Sequence, residues 1–382
     1  MTPRIAIAHD YLTQRGGAER VVLALHRAFP EAPIHTTLYD PDLTYPEFRD
    51  AEVITSPLNR IGAFRRNHRA ALPLLAAAAS SIRIDADVVI ASSSGWAHGF
   101  PTTGKRLVYC HTPARWLYLT DEYLGGGSDA GLKGAVLGAL KPGLLRWDRK
   151  KAAEADAYLA NSSIVKERIR KVYGIEADLL FPPHSVDITQ ESKPIGGLEH
   201  FIGDGGHYLV VSRLMPYKNV DQVIEAFKGL DERLLIVGNG PLLQTLRQQS
   251  PDNVRIVANL SDAELAWTYE HCTALIAASY EDFGLTPLEA GAHGKPTIAL
   301  RAGGYLDSIV EGVNGVFFEE PTAASIRASV RSSGAIEWNQ EFMVEYCNQF
   351  SEQNFGRRIK SHVQRLLNSV NKYDLRVGWR AD

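Results

Sequence analysis

Two glutamates and the loop between them form the segment of this sequence best suited to chemistry. Glu281 and Glu289 flank the residues Asp-Phe-Gly-Leu-Thr-Pro-Leu, and the apolar run Ala274–Ala278 before them is typical of a buried strand. Thr286 followed by Pro287 predicts a helix start, because a hydroxyl can cap the first turn and proline fits its beginning. One carboxylate would then precede the helix, and the other would lie in its first turn.

Backbone amides lie between these two carboxylates in the predicted loop, and they belong to Phe283, Gly284 and Leu285. Amides at a helix N-terminus can bind a phosphate, while the carboxylates accept hydrogen bonds from sugar and ribose hydroxyls. The alternative is that Glu289 only stabilises its own helix dipole and that Glu281 is solvated. Spacing, cap and position together favour a functional loop.

Two cations follow the predicted strand Tyr208–Ser212, at the end where ligands bind in doubly wound sheets. Arg213 offers a planar fork of donors and Lys218 a mobile ammonium, a combination that suits a diphosphate when no metal neutralises it. The alternative for this pair is two solvated surface side chains.

Glycines and a histidine occupy the corresponding positions in the first half of the chain. Gly16 and Gly17 follow the predicted strand Arg4–Ala8 and open a helix, so that backbone amides could approach a phosphate. A turn without a ligand explains them equally well. His111 ends the predicted strand Arg106–Cys110, where a structural histidine is the alternative to a functional one.

A further glycine-rich turn follows the predicted strand Arg233–Val237. Its residues Gly238, Asn239 and Gly240 would let the backbone pass close to a flat nucleobase, and a plain turn is the alternative.

The elements that must position these residues alternate between strand and helix along the chain. Apolar runs that end in turn residues and precede helical periodicity predict parallel sheets covered on both faces. The remaining predicted strands are Ile34–Leu38, Val88–Ala91, Ala157–Ala160, Asp178–Phe181, Val254–Val257, Pro296–Leu300 and Gly315–Phe318.

This pattern predicts an α/β protein of two Rossmann-like, doubly wound domains that face a cleft. The N-terminal domain would span residues 1–188, and a glycine-rich linker would span residues 189–206. The C-terminal domain would span residues 207–350. Residues 351–382 would form a C-terminal helix.

Composition excludes several classes of function and compartment. The chain has 382 residues, 45% of them hydrophobic, and a net charge of -3, which gives no electrostatic case for nucleic acid. Its three cysteines are scattered, which favours a reducing cytoplasm. No signal peptide or membrane-spanning run is evident, and we expect a cytoplasmic protein.

Basic residues beside an apolar run suggest an additional surface property. Five basic residues precede the apolar run Leu72–Ala79, namely Arg60, Arg65, Arg66, His68 and Arg69. A second basic cluster consists of Arg146, Arg149, Lys150 and Lys151. Basic clusters next to apolar side chains can bind anionic lipid, which predicts peripheral attachment to the inner membrane face. An ordinary amphipathic helix of the N-terminal domain is the alternative.

Taken together, these segments resemble glycosyltransferase family 4, and the resemblance runs through the whole chain in order. It rests on the Gly-Gly loop, Cys110-His-Thr-Pro113, Ser212-Arg-Leu-Met-Pro-Tyr-Lys-Asn219, Val237-Gly-Asn-Gly-Pro241 and the paired-glutamate loop. Members of this family have the GT-B fold and transfer a sugar with retention of anomeric configuration. The resemblance implies that residues 1–188 bind the acceptor, that residues 207–350 bind the nucleotide sugar, and that the C-terminal helix of residues 351–382 returns toward the N-terminal domain. The opening Asp10-Tyr-Leu and the Tyr109-Cys-His-Thr-Pro segment look most similar to bacterial mannosyltransferases of surface polysaccharides, which implies GDP-mannose as donor and a glycan or lipid-linked acceptor.

The resemblance also implies a role for each matching residue. Arg213 and Lys218 would hold the diphosphate, and His111 would touch the donor sugar. Glu281 would contact sugar hydroxyls and Glu289 the ribose. The remaining positions would line the phosphates and the donor, and they are Gly16, Gly17, Gly238, Asn239, Gly240, Phe283, Gly284, Leu285 and Thr286.

We expect no metal cofactor, because the two cations can take its place and the acidic strings Asp40-Pro-Asp42 and Asp85-Ala-Asp87 look like solvated loop and strand-entry residues. Two other functions stay open: a sugar-nucleotide epimerase of the same fold, and a non-catalytic nucleotide-sugar-binding protein. An NAD dehydrogenase is disfavoured, because the sequence lacks the complete dinucleotide fingerprint.

Overall fold

The computed structural model describes residues 2–118, 132–184, 186, 191–202 and 206–369. The chain divides into two compact units, one formed by Met1–Pro182 with Phe355–Asp382 and the other by Pro183–Asn354. The predicted linker and the predicted C-terminal segment lie partly outside the described residues. Within the linker range, Ile195 and Ile202 are buried against the second unit's Leu209 and Trp267.

The first unit is built on a parallel sheet that has seven strands among the described residues, in the order β3-β2-β1-β4-β5-β6-β7. Its central strand β4 is buried along its whole length, which explains its continuous run of small and apolar residues. The strands are β1 Ile5–His9, β2 Ile34–Thr36, β3 Val53–Thr55, β4 Val88–Ser93, β5 Lys105–Cys110, β6 Ala157–Ala160 and β7 Asp178–Leu179.

Helices join these strands and cover the sheet. Ser162 caps the last of them by accepting a hydrogen bond from the Val165 amide at 3.2 Å, and Gly174 ends it in the left-handed conformation. The helices are α1 Gly17–Ala28, α2 Gly62–Arg66, α3 Leu72–Ser81, α4 Arg115–Tyr118, α5 Leu132–Ala153 and α6 Ser163–Tyr173. Short 3-10 turns lie at Pro46–Arg49, Pro57–Arg60, His68–Ala71 and Ala97–Gly99.

The second unit repeats the architecture with a parallel sheet of six strands among the described residues, in the order β10-β9-β8-β11-β12-β13. Its strands are β8 His207–Val211, β9 Leu234–Val237, β10 Val254–Val257, β11 Cys272–Ala277, β12 Thr297–Leu300 and β13 Gly315–Phe318. Its helices are α7 Glu199–Ile202, α8 Val220–Phe227, α9 Leu243–Gln249, α10 Asp262–His271, α11 Thr286–Ala292, α12 Tyr305–Ser308, α13 Ala323–Ser333 and α14 Gln340–Asn348, with a 3-10 turn at Pro216–Lys218.

The last described helix, α15 Glu352–Asn368, completes the core of the first unit. Its buried side chains Phe355, Ile359, Val363 and Leu366 join the apolar cluster that contains Ile7. Lys105, at the start of β5, fixes the end of this helix by donating to the Leu366 carbonyl at 2.8 Å. The long-range packing explains why a segment with no strand after it remains helical.

Both sheets reverse their strand order beside their first strand, between β1 and β4 and between β8 and β11. Ligands of doubly wound sheets bind beyond the carboxyl ends of the strands at such a reversal. The predicted doubly wound α/β architecture is therefore confirmed. Among the described residues, no helix is both long and apolar enough to cross a bilayer.

One strand was absent from the predicted set. The edge strand β3 is only three residues long and is partly exposed, and 3-10 turns that begin with proline lie on either side of it. Its apolar pattern is too short to stand out, and only the pairing of Val53 with Ile34 of β2 defines it as a strand.

Candidate active site

The loop after β1 ends at a glycine that the local packing requires. Gly16 is the N-cap of α1, and the helix begins at Gly17, as the sequence indicates. A β-carbon on Gly16 would lie 2.6 Å from the Glu19 carboxylate, which is buried in the first turn of the helix. Gly16 therefore gives room to a buried acid.

The buried Asp10 carboxylate organises the loop that follows β4. Its oxygens accept hydrogen bonds from the backbone amides of Ser94 at 2.5 Å, Trp96 at 2.7 Å and Ala97 at 2.6 Å. Three amides on one carboxylate satisfy a charge that burial would otherwise make costly. The ends of β1 and β4 are thereby held together at the reversal of strand order.

His111 follows β5 and reaches the same edge of the first sheet. Its Nε2 lies 2.8 Å from the Ser92 hydroxyl, and its ring meets Tyr109 edge-on with 5.2 Å between centroids. Burial, helped by the neighbouring His9, lowers the pKa of His111 to about 3. His111 is therefore neutral over the physiological range.

The second unit joins Lys218 directly to Glu281. Lys218 Nζ donates to Glu281 Oε1, and the Ser279 hydroxyl donates to the same oxygen at 2.6 Å. The Ser279 hydroxyl also lies 3.2 Å from the Tyr305 hydroxyl. One oxygen of Glu281 is thus held by two donors, which fixes the direction of the carboxylate.

Arg213 and Lys218 share a contact with Tyr217. Arg213 donates to the Tyr217 hydroxyl at 3.1 Å, while Lys218 Nζ lies 5.1 Å from the centre of the Tyr217 ring. The Arg213 side chain is exposed and the Lys218 side chain is largely buried. The predicted cation pair therefore has one solvated member and one that a carboxylate already holds.

The loop from Glu281 to the helix is shaped by glycines of another segment. Gly284 has a φ of +82°, and a β-carbon there would collide with the buried Tyr305 ring. β-Carbons on Gly303 and Gly304 would collide with the backbone of Glu281 and Phe283, and the Gly304 amide donates to the Glu281 carbonyl at 2.9 Å. This close approach sets the loop in place.

The predicted capping role of Thr286 is wrong. Leu285 is the N-cap of α11, no side chain caps this helix, and Thr286 is its first residue. The helix begins one position earlier than a threonine cap would require, because Leu285 already has helical backbone angles and its carbonyl accepts the Glu289 amide at 3.0 Å. Glu289 lies in the first turn as expected.

Glu289 has a buried partner that the sequence does not indicate. The Tyr269 hydroxyl, at the end of α10, donates to Glu289 Oε2 at 2.8 Å. The His293 ring stacks on Tyr269 with 5.5 Å between centroids, and burial lowers the pKa of His293. Tyr269 therefore fixes the direction of the carboxylate assigned to ribose.

The turn of Gly238, Asn239 and Gly240 packs against the loop that carries Arg213. A β-carbon on Gly238 would collide with the Ser212 carbonyl, and one on Gly240 would collide with the Leu214 carbonyl. The Leu214 amide donates to the Asn239 carbonyl at 2.9 Å. These glycines therefore support the loop that carries Arg213, and this role does not require a bound nucleobase.

The two acidic strings are paired with arginines. Asp85 accepts from Arg4 at 3.1 Å, and Asp42 accepts from Arg49 at 2.6 Å. Within the residues that the structure describes, no group of three or more histidine, cysteine or acidic side chains is arranged to hold a metal ion.

Several supporting residues were missed by the sequence reasoning, namely Glu19, Ser92, Tyr269, Ser279, Tyr305, Gly303 and Gly304. Ser279 could have been found, because it stands two residues before Glu281 at the end of a predicted strand. Glu19 is also local in sequence, since it lies three residues after Gly16 in the first turn of α1. The others approach the predicted site residues through tertiary packing.

Comparison with known families explains this arrangement. Residues 15–190 match the family described as Glycosyltransferase Family 4, and residues 200–353 match the family described as Glycosyl transferases group 1. The chain belongs to glycosyltransferase family 4. The resemblance predicted from the sequence is thereby confirmed.

Two mannosyltransferases are among the relatives of this glycosyltransferase. It is 37% identical over 147 residues to the GDP-mannose-dependent alpha-mannosyltransferase of Corynebacterium glutamicum, covering 38% of this chain and 34% of that protein. It is 28% identical over 310 residues to the human alpha-1,3/1,6-mannosyltransferase, covering 69% of this chain and 68% of that protein. Matches to four curated relatives span only 26–54% of those proteins.

Solved structures confirm the GT-B fold. The sucrose-phosphate synthase of Thermosynechococcus elongatus superposes with a TM-score of 0.69 at 16% identity, covering 95% of this chain and 99% of that one.

The packing of Gly284 against Tyr305 yields a prediction with a matched control. Gly284→Ala should weaken binding of a nucleoside diphosphate about tenfold or more, since a loss of about 1.4 kcal/mol is a factor of ten. Gly312→Ala is the control, because Gly312 has a nearly identical φ of +80° and open space around it. The control should lose only about 1–2 kcal/mol of unfolding free energy. Calorimetric binding and thermal unfolding of both variants test this; equal weakening of binding would contradict it.

Proposed function

We propose that this glycosyltransferase transfers mannose from GDP-mannose, with retention and without a metal, to a glycan or lipid-linked acceptor in surface polysaccharide or glycolipid synthesis. The observation that carries the proposal is the cluster of Lys218, Glu281 and Ser279 at the reversal of strand order in the second sheet. The GDP-mannose dependence of the Corynebacterium relative supports the choice of donor.

The charge of the departing diphosphate determines what the second unit must supply. As the bond to the anomeric carbon loosens, negative charge grows on the phosphates, and Lys218, Arg213 and the amides of Phe283, Gly284 and Leu285 would stabilise it there. The two cations would supply the charge that a metal provides in other transferases. Lys218 would exchange its contact with Glu281 for one with phosphate.

The sugar and the ribose would be bound by the two carboxylates. Glu281, held through Oε1, would offer its other oxygen to sugar hydroxyls, and Glu289 would accept from the ribose. Neutral His111 would contact the donor sugar without adding positive charge beside a sugar that becomes cationic. Retention would follow from attack on the face that the phosphate leaves, with a phosphate oxygen accepting the acceptor's proton.

The decisive experiment compares nucleotides and then follows the donor. GDP should stabilise the protein against heat more than UDP or ADP does. At a GDP concentration of one hundred times its dissociation constant, the free energy of unfolding should rise by about 2.7 kcal/mol. GDP-mannose should be consumed, slowly by water alone, with full activity in excess EDTA. Lys218→Gln should lose the stabilisation by GDP.

Other outcomes of this experiment identify other functions. Preferential stabilisation by UDP with turnover of a UDP-sugar would contradict the proposed donor. Activity that chelation abolishes and magnesium or manganese restores would contradict metal independence. An equilibrium of two nucleotide sugars with no new glycoside would indicate an epimerase, and binding with no turnover would indicate a sensor.

The two glutamates should affect different kinetic parameters. Glu289→Ala should mainly weaken donor and GDP binding, because ribose contacts exist in both ground and transition states. Glu281→Ala should mainly lower kcat and should not weaken GDP binding, because the sugar that it contacts gains charge only during reaction. Each loss should be about 1.5–3 kcal/mol. Steady-state kinetics and calorimetry measure both parameters.

Glu264→Ala serves as the control, because Glu264 is a first-turn glutamate of α10 whose carboxylate serves its own helix cap. This control should change neither parameter. Equal weakening of GDP binding by Glu281→Ala and Glu289→Ala would show that the carboxylates are wrongly assigned.

We also propose peripheral attachment to an anionic membrane surface through the first unit. Arg60 and Arg66 are exposed, and Ile61 and Leu74 are each 46% exposed. Each basic residue near such a surface contributes about 1 kcal/mol. The double variant Arg60→Glu with Arg66→Glu should therefore sediment less with vesicles containing anionic lipid at low salt than the wild type.

Arg331→Glu, an exposed change of the same kind in the second unit, is the control and should sediment as the wild type does. A wild type that does not sediment with anionic vesicles would contradict the attachment.

A further inference from the structure

A single buried hydroxyl links two histidines beside the reversal of strand order in the first sheet. Ser92 lies near the end of β4, between His9 at the end of β1 and His111 just after β5. His9 Nδ1 is 3.0 Å from the Ser92 carbonyl and 3.2 Å from its hydroxyl, and the hydroxyl is 2.8 Å from His111 Nε2. All three side chains are buried.

The chemistry of these atoms assigns their hydrogens. A carbonyl oxygen can only accept, so His9 must carry a hydrogen on Nδ1 and donate it toward Ser92. In the described part of the chain, His111 Nε2 is the only acceptor that the Ser92 hydroxyl can reach. A buried hydroxyl rarely leaves its hydrogen unsatisfied, so Ser92 donates to His111 Nε2, which must then be unprotonated.

The charges around the pair agree with this assignment. His9 Nε2 lies 3.8 Å from Glu19 Oε1, which also accepts from Gln14 at 3.0 Å. Burial lowers the pKa of His9, but Glu19, Asp10 and the Ser92 carbonyl outweigh it and the net pKa is raised. His9 thus favours the positive charge, and His111, whose ring centroid is 6.5 Å away, favours the neutral form.

We propose that Ser92 and His9 fix His111 in the neutral tautomer with its hydrogen on Nδ1, which makes His111 a hydrogen-bond donor toward the substrate rather than a base. Ser92 and His9 are positioning residues, since they act through His111. The donor role rests on the proposed transfer reaction, whereas the tautomer is a property of the free protein.

The role as donor fits the chemistry of the site. A neutral imidazole with Nδ1–H can donate to a sugar oxygen and takes no proton from the acceptor. The acceptor's proton would then pass to the leaving phosphate, in agreement with attack on the face that the phosphate leaves. The buried chain from Glu19 through His9 and Ser92 prevents the ring from exchanging tautomers, because an exchange would leave the Ser92 hydroxyl unsatisfied.

Nuclear magnetic resonance of the ¹⁵N-histidine-labelled protein without ligand tests the tautomer directly. Two-bond ¹H–¹⁵N correlations separate protonated from unprotonated ring nitrogens, and His111→Gln identifies the signals of His111 by their loss. We expect protonated Nδ1 and unprotonated Nε2 near neutral pH. Protonation on Nε2, or on both nitrogens, would overturn the proposal.

Two serine variants then separate positioning from general stability. Ser92→Ala removes the donor to Nε2 and should bring the Nε2–H form of His111 into the spectrum. It should lower kcat by about 2- to 10-fold, the effect of one neutral hydrogen bond, and leave the dissociation constant for GDP unchanged. Ser93→Ala is the matched control, since Ser93 is the next residue of β4, is equally buried, and pairs with His98 at 3.0 Å.

The control should leave both the His111 spectrum and kcat as in the wild type. If Ser92→Ala kept the Nδ1–H tautomer, or if Ser93→Ala lowered kcat equally, the proposed positioning role would be wrong. A wild type with the expected tautomer and no transferase activity would instead contradict the proposed function, and would remove the donor role of His111 with it.

Discussion

The parallel arrangement of the strands is the constraint on which the rest of this molecule depends. Parallel strands bring all their carboxyl ends to one edge of a sheet, and the reversal of order between β1 and β4, and between β8 and β11, leaves an opening at that edge. Asp10 and Ser92 flank the opening in the first sheet. Lys218 and Glu281 flank it in the second. Residues far apart in sequence become neighbours because their strands end at the same edge of one sheet.

Negative charge at these openings is tolerated because Asp10, Glu289 and Glu281 each accept hydrogen bonds from nearby donors. Asp10 is bound by three amides, Glu289 by the Tyr269 hydroxyl, and Glu281 by Ser279 and Lys218. Such pairs add little net stability, because desolvation offsets most of their attraction. What they provide is direction: each carboxylate presents a fixed oxygen, so that a ligand finds its partners already oriented and loses less entropy on binding.

Periodicity and turn residues were enough to predict nearly all the strands and the doubly wound architecture, because apolar runs that end in glycine or proline are local signals. The short strand Val53–Thr55 was not predicted, because only its pairing with β2 identifies it as a strand. The loop residues predicted for the site do follow the strands as expected, and Lys218 does meet Glu281. The residues that orient them could not be found in this way. Tyr269 approaches Glu289, and Gly303 approaches Glu281, through contacts that only the folded chain creates.

The last described helix has a consequence for how the protein is made. Phe355, Ile359, Val363 and Leu366 belong to the core of the first unit, yet the ribosome adds them only after the whole of Pro183–Asn354 has been synthesised. At about 5–20 residues per second, that interval is roughly ten to thirty seconds. During this time the nascent first unit has an uncovered apolar face around Ile7 and Val22. The nascent first unit therefore exposes part of its core to solvent until residues 355–366 have been synthesised.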